Sequence, residues 1–179
     1  MTEVAGRYVR LVVDSAETVS PVFAKRVRHL LARNGIAAVS DDGWYPVDAF
    51  ARSLARLGEG AGSDQLGRVG GKLVAATPAV LRADDVDTAL ATLRRVAREA
   101  HRGPAADRVA DFAVEHPDSD RTRRIVTGGD YLYPTAFAAA VFRRAVVAGV
   151  GDERVDADDV VVESVEPPAD ATDAFRVSW

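Results

Sequence analysis

Tyr131-Leu132-Tyr133-Pro134-Thr135-Ala136-Phe137, running on without a break into an apolar segment that ends at Val147, is the stretch on which the reading of this chain turns. Pro134 suits the first position of a helix, where its missing N–H costs nothing, and Phe137, Val141, Arg144 and Ala145 follow at helical spacing. The pattern predicts a helix entered through two tyrosines and faced mostly with alanine and valine, so that neighbouring elements can approach closely. We take it as the central helix of the fold.

Beyond this helix, Gly149 and Gly151 end the periodicity. Asp159 to Val165 then reads as a strand, residues 166–173 as its connection, and Ala174 to Trp179 as the returning strand. Phe175, Val177 and Trp179 share one parity of that last strand and belong on one face. Before the helix, residues 104–127 carry two patterns. Val109, Phe112, Ala113 and His116 keep helical spacing, yet Phe112-Ala113-Val114, the turn at Pro117 to Asp120, and Arg123 to Thr127 also make a hairpin, which we favour.

In the N-terminal half, Tyr8 to Val13 reads as a short β-rich strand. Ser20-Pro21 supplies a cap and a first-turn proline for a helix carrying Val22, Phe23, Val27, Leu30 and Leu31, with Gly35 as a left-handed stop. Ile36 to Val39 reads as a brief extended run closed by a turn at Asp41-Asp42-Gly43. Trp44-Tyr45-Pro46 then leads into an amphipathic helix with Val47, Phe50, Ala51, Leu54 and Leu57, ending at the Gly58 to Gly62 cluster. Leu66, Val69, Leu73 and Val74 mark a further helix whose Gly67, Gly70 and Gly71 cost helicity but permit a close crossing. Asp84-Asp85 caps a longer helix through Ala100, with His101 at its terminus. These capped segments, followed by C-terminal strands, predict one α+β domain over residues 1–179, with roughly five helices packed on a small, largely antiparallel sheet.

Composition narrows the function. The chain has 179 residues, a net charge of −4 and 47% hydrophobic residues, which suit a folded protein, and a groove for nucleic acid would have to be built against the overall field. It contains no cysteine, which excludes disulfides, thiolate metal sites and cysteine nucleophiles. The first residues lack a basic stretch followed by an apolar run, and no window approaches a membrane span, so cytoplasmic residence without membrane insertion is expected.

No Gly-x-Ser-x-Gly elbow, His-Glu-x-x-His or Rossmann glycine pattern is present. Gly67-Arg68-Val69-Gly70-Gly71-Lys72 has neither the glycine spacing of a phosphate loop nor a hydroxyl residue after its lysine. A catalytic reading therefore requires Asp41, Asp42 or Asp130 to converge with His29, His101 or His116. Binding needs less: Trp44, Tyr45, Tyr131, Tyr133 and Phe137 are large apolar groups that line either a core or a pocket, and the tyrosine hydroxyls can also orient a ligand.

From Phe112 through Tyr133-Pro134, the Phe137 to Val147 helix and the final Phe175 to Trp179 strand, about half of the chain resembles a group of ligand-sensing domains. These are the domains related to the four-vinyl-reductase and heme–nitric-oxide-binding groups, which share an architecture with TRAPP-type subunits. The resemblance implies helices against a small antiparallel sheet, a pocket for an apolar molecule, and dimerisation. A heme would need an axial donor. With cysteine absent and Met1 the only methionine, that falls to a histidine, and each of the three has a surface or helix-end explanation.

The expectation is thus a non-enzymatic sensor or binding domain for a small apolar ligand. Tyr131, Tyr133 and Phe137 are its first contacts, with Trp44 and Tyr45 beside them, and neither a cofactor nor a metal is expected. The alternatives are a protein-interaction domain acting through a homodimer or a regulatory partner, and a His/Asp enzyme.

Overall fold

A computed structural model describes residues 1–61, 63–117, 119–151 and 158–179. The chain opens with β1 (Glu3–Ala5), α1 (Gly6–Val19) and α2 (Pro21–Arg33), then β2 (Trp44–Pro46), α3 (Val47–Ala61) and α4 (Ser63–Ala75). A short α5 (Pro78–Leu81), α6 (Val86–Glu99) and β3 (His101–Arg102) precede the hairpin of β4 (Phe112–Glu115) and β5 (Thr122–Gly128). The central helix α7 (Thr135–Val150) and strands β6 (Val161–Val165) and β7 (Ala171–Ser178) complete it. The strands form two antiparallel sheets, ordered β2-β1-β3 and β4-β5-β7-β6. The class is α+β as expected, but with two more helices than the sequence pattern suggested and a second sheet.

The organising helix sits where its composition places it. α7 buries Phe137, Ala138, Val141, Phe142, Ala145 and Val146 and packs against both α4 and α6. Its small residues allow this. A Cβ on Gly70 of α4 would lie 2.8 Å from the Phe137 carbonyl oxygen, and one on Gly149 would lie 2.5 Å from the Val86 Cα. Gly149 therefore lies inside the helix as a contact point, and the stop falls at Gly151, whose φ of 64° is left-handed. Pro134 occupies the cap position, one residue before the first helical turn.

The C-terminal strands follow the sequence reading. β7 pairs with β5 in the register Phe175↔Ile125, and with β6 on its other edge. Phe175 and Val177 are buried, and Trp179 is half-buried with the Arg123 guanidinium over its ring at 5.4 Å. The hairpin expected over 112–127 is present.

Three N-terminal readings are corrected. Tyr8 to Val13 is helical, not extended: Val9, Val12, Val13 and Ala16 are buried at spacings of three and four, a period that outweighs the β-propensity of valine. Ile36 to Val39 forms no strand; Ile36 is buried alone, its N–H donating to Leu31, while the chain returns through the Ser40–Gly43 turn to Gly6. Val22 is 80% exposed and lies outside the apolar stripe of α2, whose Ser20 cap accepts from Phe23 as expected. The helix after Pro46 ends, as expected, within the Gly58 to Gly62 cluster, at Ala61.

Candidate functional site

The candidate site is a small apolar cavity at the foot of α7. Each wall has a local cause. Phe137 and Val141 project from the buried stripe of α7, Leu73 comes from the end of α4, Thr77 precedes α5, and Leu93, Ala97 and the capping Ala100 come from the C-terminal part of α6. Phe50 reaches it from α3, Tyr8 from α1 and Phe112 from β4. The space is about 70 Å³.

Its polar chemistry is concentrated in one pair. β3 pairs with β1 in the register Val4↔His101, which turns the chain sharply after α6 and carries His101 inward. His101 is 8% exposed, with Nδ1 2.6 Å from the Ala97 carbonyl oxygen and Nε2 2.6 Å from the Tyr133 hydroxyl. A carbonyl oxygen only accepts, so Nδ1 carries the proton. In the neutral ring Nε2 then accepts, and the Tyr133 hydroxyl donates to it. Burial holds the His101 pKa below the ordinary histidine value, against the raising effect of the Ala97 carbonyl, and keeps the ring neutral.

Aromatic rings surround this pair. Tyr133 stacks on Phe137 at 5.8 Å and makes edge contacts with Tyr131 at 5.8 Å and Phe50 at 6.1 Å. The two Tyr-Pro helix entries of the sequence therefore meet in space, through Phe50 of the first and Tyr133 of the second. Burial raises the pKa of both Tyr131 and Tyr133 above the usual phenol range, so both hydroxyls keep their protons at neutral pH.

Of the five contacts chosen from the sequence, Tyr131, Tyr133 and Phe137 line the cavity together. Trp44 and Tyr45 lie outside its lining. Trp44 carries the Arg102 guanidinium over its ring at 4.4 Å, and the Tyr45 hydroxyl accepts from the Ser40 N–H at 2.7 Å beneath the Gly6–Gly43 crossing. His101 was read as a helix-end residue favoured by a positive ring, and the buried neutral ring overturns that explanation. Nothing in the local sequence pointed to burial, since Arg102 follows His101 directly and Glu99 stands two residues before it.

The carboxylates considered for catalysis stand elsewhere. Asp41 pairs with Arg10 at 3.4 Å and Asp130 with Arg108 at 3.0 Å. Among the described residues no cluster of His, Asp and Glu is arranged to hold a metal. No described helix is long and apolar enough to cross a membrane.

No family model matches the chain, and no curated protein does. Solved structures do. A single-substitution variant of T. tengcongensis H-NOX matches at 12% identity and a TM-score of 0.63, covering 97% of this chain and 96% of that one. The unliganded Fe(II) H-NOX protein from K. algicida matches at 12% identity and a TM-score of 0.62, covering 97% and 95%. An oxygen-binding H-NOX domain related to soluble guanylate cyclases gives 12% identity and a TM-score of 0.59, covering 97% and 93%. The chain thus has the fold of the H-NOX domains from end to end, which is the heme–nitric-oxide-binding part of the resemblance read from its sequence.

Proposed function

We propose that this protein is a non-enzymatic sensor domain whose cavity takes a small, uncharged apolar molecule without heme. The carrying observation is the apolar space of about 70 Å³ beside His101, Tyr133 and Phe137. An apolar cavity of this size takes xenon-sized or slightly larger apolar guests because its walls lack contact partners. The Tyr133 proton is spent on His101, so the cavity offers a ligand only the remaining lone pair of that hydroxyl at this point.

Heme is the ligand that H-NOX structures bring to mind, one related structure being described by its heme distortion. The residues here do not fit it. A pocket for a ligand of that size needs about 300 Å³ or more, and the space is taken up by Tyr133 stacked on Phe137 with Tyr131 edge-on to it. His101 Nε2, the one imidazole lone pair at the cavity, is held by Tyr133. No cation lines the cavity to meet carboxylate side arms.

The test is methyl NMR under xenon pressure. We expect saturable shifts confined to methyls of Leu73, Leu93, Val96 and Val141, abolished when Ala97→Leu fills the space. Absence of shifts, or shifts spread over the surface and untouched by that substitution, would reject the cavity as a ligand site.

A further inference from the structure

A second feature lies on the outer side of α4, away from the cavity. An open groove of about 490 Å³ is lined by Thr18 of α1, Arg68, Gly71, Lys72 and Ala75 of α4, and Arg144 of α7, together with Val19. It holds three cations and no carboxylate. Arg68 and Lys72 stand four residues apart on one helix, where like charges destabilise it. Lys72 donates to the Thr18 hydroxyl, and among the described residues none of the three cations forms an ion pair. Glu17, the acid beside Thr18 in sequence, is held by Arg28.

The contrast with the other arginine clusters is informative. Arg94 and Arg98 share Asp111, Arg123 is held by Asp87, and Arg124 by Glu115. In a chain with net charge −4, the groove is thus a local excess of positive charge that the fold leaves unbalanced. Its floor is small: a Cβ on Gly71 would meet nothing within 4 Å, so an incoming group reaches the helix surface unhindered.

We propose that this groove is a binding site for a multiply charged, phosphate-bearing anion. Arg68 and Arg144 offer planar guanidinium forks that match phosphate oxygens and Lys72 adds a compact charge, while the Thr18 hydroxyl keeps its proton on the Ser15 carbonyl oxygen. The volume suits a ligand larger than a single phosphate. Because Lys72 and Leu73 are adjacent on α4, the groove lies against the helix whose other face walls the cavity, but the site does not depend on what the cavity holds.

The experiment is calorimetric titration of the full chain with inorganic pyrophosphate in about 50 mM NaCl, where screening is modest. We expect saturable one-to-one binding, weakened at least tenfold by Arg68→Gln with Lys72→Gln and also by Arg144→Gln. The control of equal charge, Arg82→Gln with Arg121→Gln, should change the affinity less than twofold. Circular dichroism of each variant confirms folding, and the single Arg68→Gln exchange provides an independent check on an exposed residue. Loss of equal size in the control, or no saturable binding by the natural sequence, overturns the site. A vesicle arm identifies the source. Retention on phosphatidylcholine vesicles containing phosphatidylinositol bisphosphate, displaced by pyrophosphate, assigns the anion to a lipid headgroup, whereas pyrophosphate binding without retention assigns it to a soluble phosphate compound.

Discussion

The Tyr133 hydroxyl donates to His101 Nε2 at 2.6 Å across 32 residues of sequence, and the same imidazole donates through Nδ1 to the Ala97 carbonyl at 2.6 Å. The helix entry of α7 is thereby tied to the last turn of α6, and both nitrogens of a buried neutral ring are satisfied. In an apolar wall this matters, because an unmet buried acceptor costs more than a met one contributes.

Tyr133→Phe keeps the ring stack and removes only the donor. It should destabilise the protein by about 1–3 kcal/mol, the cost of leaving a buried polar atom unpaired. Urea denaturation measures this, and a loss within error of zero would show that water reaches His101 in the folded state.

The pH dependence has a defined sign. Burial lowers the folded pKa of His101, with the Ala97 carbonyl acting in the opposite direction. As pH falls through the unfolded value of about 6.5, the unfolded chain takes up a proton that the folded chain does not. The stability from the neutral ring is complete above that value, declines as pH drops, and stops declining below the folded pKa. The lowered carboxylates Asp48, Asp87 and Asp111 keep their contributions until more acidic pH, so they do not produce this slope. The melting temperature should fall between about pH 7.5 and pH 5.5, and His101→Gln should flatten the trend. Parallel slopes in the two proteins would assign the effect to other groups.

Two neighbouring glycines should respond in opposite directions. Gly70→Ala places a methyl 2.8 Å from the Phe137 carbonyl oxygen, where backbone must move, and the overpacking should cost about 1–3 kcal/mol or more. Gly71→Ala meets open space and should gain up to about 1 kcal/mol from helix propensity. Thermal denaturation of the pair tests the α4–α7 crossing, and equal effects would contradict it.

Local signals made much of this fold legible. The caps at Ser20 and Asp85, the left-handed Gly35 and the alternation of Phe175 and Val177 each depend on chemistry within a few residues. The errors arose where a valine-rich run satisfied two periods at once, as in Tyr8 to Val13, and where burial was decided by distant partners. That Tyr131, Tyr133 and Phe137 come together was legible because they flank one helix start. His101 was not, because its burial follows from pairing with β1 at the opposite end of the chain, a non-local contact that no spacing reveals.

Whether His101 is a partner of Tyr133 in a small cavity or an axial donor is decided most directly by titrating the purified protein with hemin and recording the Soret region. The account predicts no saturable, stoichiometric band, and a spectrum for His101→Ala that matches the natural sequence. A one-to-one band that disappears in His101→Ala would contradict it, since Nε2 could then leave Tyr133 and the stacked rings could open to admit a porphyrin.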